Sequence, residues 1–324
     1  MSWFVFAAVA TLAWGFADLF YKKSANEPHS HLVTAVWVGL VVGVGAVVLM
    51  PFSSTLTENG FSIWRLVQNA YYYSPASLCY IVSMVIGYAG LRYLELSIVS
   101  PIQNASGAFS AIAMFIWFSA AGKAGEFFDE YWYINVFATV LIVAGVIALG
   151  IVEQRLANGE KALEVKDRKY RFGALALLFP ILYCVFDTIG TAADGIILNE
   201  ETGLNLSEID VLILYGLTFF VAGVIAFIYI CIKDRKVFNP FTVQRFKTVV
   251  PAALFEEFGQ IFYVYAMARN PVLAAPMIAS YCIVSVVLSR LILKEKLKPS
   301  QYICVAAVIA GVVLLGIVEG LSEM

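Results

Sequence analysis

The sequence predicts an all-α membrane protein of ten transmembrane helices, arranged as two inverted five-helix repeats. Three observations lead there. Ten apolar segments, each long enough to span a bilayer as a helix, divide the 324 residues. The longest strongly charged stretch separates the fifth segment from the sixth. A ten-residue string that ends the fifth segment returns almost unchanged at the end of the tenth.

The bulk composition agrees. Hydrophobic residues make up 61% of the chain and charged residues 14%, against about 45–50% and about 25% in soluble domains. A soluble enzyme and a disordered tail are excluded by these figures, and the net charge of −2 offers no field for a nucleic-acid partner. The 5 cysteines all fall inside apolar runs, none forms a C-x-x-C pair, and their number is odd. They read as small buried hydrophobes, with no disulfide framework, metal site or cofactor.

The segments are Trp3–Tyr21, Leu32–Phe52, Pro75–Leu94, Ile98–Ala120, Tyr131–Val152, Phe172–Leu198, Ile209–Ile232, Val249–Ala268, Val272–Leu293 and Tyr302–Val318. In lipid an isolated strand would leave its backbone unsatisfied, so each is expected as a helix. The first lacks basic residues before its apolar stretch and is interrupted by Asp18, so it reads as a retained helix rather than a cleaved signal. In the second, Gly39-x-x-x-Gly43 reads as a helix-packing face. Between the second and third lies an aromatic piece, Phe61–Tyr73, too polar to span and suited to an interface through Trp64 and Tyr71-Tyr72-Tyr73. After the fifth comes EQRLANGEKALEVKDRKYR. This divides the chain into a first five-helix repeat (1–152), a charged cytoplasmic linker (153–171) and a second repeat (172–324).

Basic residues alternate from loop to loop. Lys22, Lys23, Arg92, the linker, the loop from Lys233 to Lys247 and the stretch Arg290–Lys298 hold eighteen, and the opposite side holds only Arg65, Lys123 and Arg269. The richer side is therefore expected in the cytoplasm and both termini outside. Arg92 and Arg269, at helix ends, read as snorkelling anchors.

The repeated string is AGVIALGIVE at Ala144–Glu153 and AGVVLLGIVE at Ala310–Glu319, identical at eight of ten positions. Other matches occur in the same order. Tyr88-Ala89 with Arg92 parallels Tyr265-Ala266 with Arg269. Pro101 and Pro276 open the helices that follow, and Trp14-x-x-x-Asp18 parallels Tyr183-x-x-x-Asp187. An odd number of spans per copy turns the second copy upside down. Inverted repeats of this kind place a substrate near the midplane between them.

Ionisable groups cost several kcal/mol at bilayer depth (roughly 2.5–3.5 on the mildest scale) and so point to function. Glu256 and Glu257 fall in the middle of the eighth segment, with Gln260 and Tyr263 on the face of Glu256. Tyr183, Asp187, Thr191 and Asp194 form a polar stripe in the sixth, loosened by Pro180. Asp194 is placed near the outer interface, where a charge needs no explanation. Asp18 lies with Trp14 on one face of the first segment, where an ion pair with Lys22 would also account for it. Gln103 and Asn104 in the fourth need partners at that depth, and Tyr281 in the ninth adds another ring. These eleven residues (Glu256, Glu257, Asp187, Asp18, Gln260, Tyr263, Tyr183, Trp14, Gln103, Asn104 and Tyr281) are the candidate substrate and proton site. The carboxylates would bind a cationic group or exchange protons, and the rings would hold a cation over their faces.

The run from Tyr265 to Ile317, with its small-residue and proline start, its Leu-Lys-Glu-Lys-Leu turn at 293–297 and its final Ala-Gly-Val helix, resembles the C-terminal half of EamA-like transporters of the drug/metabolite transporter superfamily. Trp14-Gly15 and Tyr88–Pro101 suit the same family. GKAGEFFDEYW, after the fourth segment, has no counterpart to KEKLKPSQ. The resemblance implies ten helices in two inverted repeats, alternating access, and a central cavity lined by helices one, three, four, six, eight and nine. It also implies transport of small organic metabolites without a cofactor.

The expected function is therefore secondary active transport of a small polar organic solute (an amino acid, amine or related molecule) across the cell membrane. Protons are the candidate coupling ion, and the unit is a monomer or homodimer. A lipid-modifying enzyme is the alternative from another class. Against it, the chain has no intramembrane His, no H-E-x-x-H and no Walker loop. A channel or a packing subunit is the third reading.

Overall fold

The computed structural model describes residues 2–25, 27–57, 62–94, 96–123, 125, 131–161, 176–199, 206–293 and 299–322, and among them there is no strand. The helices are α1 (Trp3–Ser24), α2 (Ser30–Leu49), the single turn α3 (Ser54–Thr57), α4 (Ile63–Gly90), α5 (Leu96–Asn104), α6 (Ser106–Ala120) and α7 (Trp132–Lys161). They continue as α8 (Leu178–Ile197), α9 (Glu208–Asp234), α10 (Val243–Lys247), α11 (Val249–Met267), α12 (Pro271–Ala279), α13 (Tyr281–Leu288) and α14 (Pro299–Ser322). Seven helical stretches among the described residues are long and apolar enough to cross a bilayer: those of α1, α2, α7, α8, α9, α12–α13 and α14. The other apolar segments carry α4, α5–α6 and α11. Arg65, Gln68 and Asn69 dilute α4, a break divides α5 from α6, and α11 carries its two glutamates.

Three boundaries differ from those expected. The piece Phe61–Tyr73 is not separate from the third segment: α4 runs unbroken for 28 residues through Pro75. At about 1.5 Å per residue that exceeds the roughly 30 Å of hydrocarbon. Ser62 starts it by accepting the Arg65 backbone N–H. The fourth and ninth segments are not single helices. Each breaks a few residues after its proline, at Ala105 and at Ser280, where the ladder tightens to i→i−3 bonds such as Ala108 N to Ala105 O at 3.1 Å and Ser280 N to Met277 O at 3.1 Å. Proline removes a backbone donor and crowds the carbonyl of the preceding turn. In α5 the Asn104 amide also donates to the Ser100 carbonyl at 2.8 Å. Finally, α7 continues to Lys161, through the first part of the stretch read as linker; residues 162–175 and the Lys-Glu-Lys turn at 294–298 lie outside the described residues.

The helices pack in a paired pattern: α2 on α9, α1 on α11, α4 on α8, α7 on α14 and α6 on α12. Glycine permits the closest crossing. Gly39 of α2 leaves no room for a Cβ against the Phe219 carbonyl and Gly223 of α9, and Gly216 of α9 leaves none against the Val42 carbonyl and Ala46 of α2. Small residues at such crossings are how helices meet in lipid, where no hydrophobic force drives them together. In the α7–α14 pair, a Cβ on Gly145 would meet Val308 and the Cys304 carbonyl, and one on Gly311 would meet Ile142 and the Ala138 carbonyl. Polar ties hold the ends. Asp210 accepts from Ser53, from Thr55 at 2.7 Å and from Ser207 at 2.8 Å. Elsewhere Arg245 pairs with Glu27 at 3.1 Å and His29 meets Asp234 at 3.2 Å.

Candidate functional site

The packing leaves a polar cavity of about 80 Å³ in the interior, bounded by α1, α4, α5, α6, α8, α11, α12 and α13, with Tyr215 of α9 at its edge. A single water needs roughly 10–15 Å³ of such space, so several waters or one small polar group fit. Helical periodicity supplies the wall. Trp14, Asp18 and Tyr21 stand at i, i+4 and i+7 on α1; Glu256, Gln260 and Tyr263 have the same spacing on α11; Tyr183, Asp187 and Thr191 follow on α8. From α4 come Tyr80, Met84, Gly87 and Tyr88. The two helix breaks contribute the remainder: Gln103, Asn104 and Ser106 beside Ala105, and Ala279 and Tyr281 around Ser280.

The hydrogen bonds cross between the two halves of the chain. Glu256 accepts from the Tyr21 hydroxyl at 2.9 Å, and the Trp14 indole N–H donates to the Glu256 carbonyl at 3.3 Å. Asp18 accepts from Ser100 of α5 at 2.7 Å and from Ser285 of α13 at 2.8 Å. Lys22 does not account for Asp18; its ammonium donates to the Leu91 and Leu94 carbonyls at 2.9 and 2.6 Å. Asp187 accepts from Ser106 at 2.6 Å. The rings enclose the space, with Trp14 5.2 Å from Tyr263 and 5.8 Å from Tyr281, and Tyr21 4.6 Å from Tyr88.

Three carboxylates thus share one cavity, and among the described residues no Lys, Arg or His lines it. Two buried donors there, the side-chain amides of Gln103 and Gln260, have no partner among the described residues, and the Tyr88 hydroxyl meets only that of Tyr21. Buried polar groups are nearly always satisfied, so these donors and the three carboxylates are polar groups turned toward the cavity space.

Ten of the eleven sequence candidates stand on this wall. Glu257 stands apart: its carboxylate lies over Gly45 of α2, in the space a Cβ there would occupy. Tyr21, Tyr80, Tyr88 and Ser106 line the cavity without having been singled out. Tyr21 could have been found by extending the Trp14–Asp18 stripe one more turn. Tyr80 and Tyr88 lie in the third spanning segment, where no ionisable group drew attention to their face. Asp194 is not at an outer surface but wholly buried. A second, larger crevice of about 340 Å³ between α5, α6, α7 and α8 is walled by Ile102, Phe109, Ile147, Ile181 and similar residues, with no charged side chain. It offers nothing to orient a polar solute.

Apolar helices of bilayer length packed around a buried polar cavity define a multi-pass membrane protein. Residues 201–317 match the family model described as the EamA-like transporter family, the same family that the residues of this half resemble. A solved structure described only as "Crystal structure of protein" has the same fold, with a TM-score of 0.59 over 96% of this chain and 95% of that chain at 13% identity. A search of curated proteins gives no match.

Proposed function

We propose that this protein is a secondary transporter of the EamA-like kind. It carries a small polar organic solute with a cationic group (an amine, an amino acid or a related molecule) through the central cavity by alternating access. The observation that carries the reading is the composition of the cavity wall: Asp18, Asp187 and Glu256 with unpartnered amide donors, ringed by aromatic faces and lacking any basic side chain among the described residues. A cation between carboxylates and ring faces gains from both, and more so out of water. A channel-like pore is disfavoured by the bonds that Glu256, Asp18 and Asp187 make across the halves.

The arrangement as ten helices in two inverted halves, 1–152 and 172–324 around the charged linker, has its own support. Pairing the first segment with the sixth, the second with the seventh and so on maps the helix contacts onto themselves. α1 on α11 exchanges with α8 on α4 and α6 on α12 with α13 on α5, while α2–α9 and α7–α14 each map onto themselves. The residue contacts reciprocate too. Gly145 meets Val308 and Cys304 as Gly311 meets Ile142 and Ala138, and Gly39 meets Phe219 as Gly216 meets Val42. A twofold relation between copies produces that pattern. With the linker in the cytoplasm, both termini face outward.

The test is solute counterflow in proteoliposomes, with candidates chosen by a thermal-shift screen of amines, amino acids, sugars and nucleosides. The expected result is saturable, competitor-sensitive exchange of a cationic solute, falling by about a hundredfold in Glu256→Gln while the variant still purifies as a folded protein. Flux that never saturates would make it a channel, and a covalently altered lipid would make it an enzyme.

A further inference from the structure

Asp194 belongs to a second cluster that the solute site does not use. Its residue is 0% exposed, at the last turn of α8, behind the stretch of cavity wall formed by Tyr80, Thr191 and Tyr263. Oδ2 accepts from the Tyr80 hydroxyl at 3.0 Å; that hydroxyl lies 2.6 Å from the Tyr263 hydroxyl and 3.3 Å from Thr191 Oγ1. Tyr73 of α4, also 0% exposed, faces the same carboxylate and Tyr263. Yet Asp194 Oδ1 and the Tyr73 hydroxyl face each other without a well-formed hydrogen bond, and neither makes one elsewhere among the described residues. The other charge that Asp194 meets there is Asp187, of the same sign.

We propose that Asp194, Tyr73, Tyr80, Tyr263 and Thr191 form a binding site for a sodium-sized monovalent cation, set behind the solute cavity and sharing three residues with its wall. The cluster brings together oxygens alone, the ligand type of hard cations. Around an ion held at about 2.4 Å, neighbouring ligand oxygens stand roughly 3.4 Å apart, so the observed 2.6–3.3 Å spacings need only a small opening. One carboxylate ligand balances one positive charge; a calcium ion would be left with excess charge in a site with no second carboxylate among its ligands. The two facing oxygens that make no well-formed bond are the coordination that the protein alone leaves unfilled, and a buried carboxylate beside a like charge needs a cation to offset its desolvation. Because Tyr80, Tyr263 and Thr191 face the solute on one side and the ion on the other, each occupant would sense the other. That coupling role rests on the transport reading, whereas the ion site does not.

The experiment measures binding without transport. The purified protein is melted while NaCl replaces CsCl at constant chloride and pH, in the wild type and in Asp194→Asn, Tyr73→Phe and Asp187→Asn. Expected is a saturable rise of roughly 5 °C with Na⁺ at a hundredfold excess over its Kd. The rise should be absent in Asp194→Asn, need about tenfold more Na⁺ in Tyr73→Phe, and persist in Asp187→Asn. Should Asp194→Asn fail to fold, the Tyr73→Phe midpoint decides: a tenfold shift supports the site, and an unchanged midpoint overturns it. No Na⁺ effect in the wild type overturns it, as does an effect that follows Asp187 instead of Asp194. A melting temperature that tracks pH and ignores Na⁺ would assign Asp194 a proton in place of an ion.

Discussion

The helices α1 and α8 carry the same polar stripe and end it in opposite ways. Trp14 and Asp18 match Tyr183 and Asp187, and both pairs face the cavity. One turn on, Lys22 stands where α8 has Thr191, and Ala25 stands where α8 has Asp194. Lys22 donates to the carbonyls of Leu91 and Leu94, just beyond the C-terminus of α4, as a cation should at a helix's negative end. Farther back along α4, Tyr80 donates to Asp194. The aspartates differ as well. Asp18 is pinned by hydroxyls from both broken helices, α5 and α13, whereas Asp187 is reached by Ser106 and by Tyr183 of its own helix and is only half-buried. On the proposed repeat, the backbone is shared between the copies while their polar chemistry differs. On the proposed transport reading, Asp18 ties helices together as well as facing the solute, and Asp187 is the more exposed of the two to it.

The sharpest break in that comparison would come from exchanging the carboxylates for neutral groups one at a time. Asp187→Asn should lower solute exchange by about a hundredfold, equivalent to about 2.7 kcal/mol of lost interaction, with its melting temperature retained. Asp18→Ala should act on stability instead. A hydrogen bond to a charged group contributes about 1.5–3 kcal/mol. Losing two, with Ser100 and Ser285 left to find other acceptors, should lower the melting temperature by roughly 6–12 °C. If instead Asp18→Ala melts normally but cannot transport, the two aspartates are equivalent and the division of labour drawn here is wrong.

A smaller effect should come from Gly87 of α4. A Cβ there would stand 2.6 Å from the Tyr183 ring and 2.7 Å from the Gln103 amide nitrogen, and both side chains would have to yield into the cavity. Alanine also favours the helix by about 1 kcal/mol over glycine, which offsets part of the crowding. Gly87→Ala should therefore weaken apparent solute affinity by about tenfold while leaving the melting curve nearly in place. Normal affinity would mean that the solute does not touch this part of the wall.

What the sequence could show follows from what periodicity can carry. The stripes Trp14–Asp18, Tyr183–Asp187 and Glu256–Gln260–Tyr263 are local, spaced at one helical turn, and legible without coordinates. The two breaks were not, because apolar run length is blind to whether the backbone continues; Pro75 sits inside an unbroken α4, whereas Pro101 and Pro276 precede breaks. Nor could Ser100 and Ser285 be joined to Asp18, being 82 and 267 residues away from it. Asp194 was set aside because its place near a helix end suggested water. Three tyrosines from α4 and α11 gather around it instead, and that grouping exists only in the packed bundle.

Glu256 and Glu257 make the finest version of the comparison, since adjacent residues on a helix point about 100° apart. Glu256 enters the cavity and is held by Tyr21, while Glu257 lies over Gly45 outside the wall. A half-buried carboxylate with no ligand to bind costs the fold at bilayer depth. Glu257→Gln should therefore leave exchange unchanged and raise the melting temperature by a few degrees, on the order of 1 kcal/mol of recovered desolvation. The measurement is the pair of readouts together, exchange rate and melting temperature, beside Glu256→Gln. If Glu257→Gln abolished exchange as Glu256→Gln is expected to do, the path of the solute or its coupling ion would have to run along the α2–α11 contact, and the cavity between the halves would be only part of it.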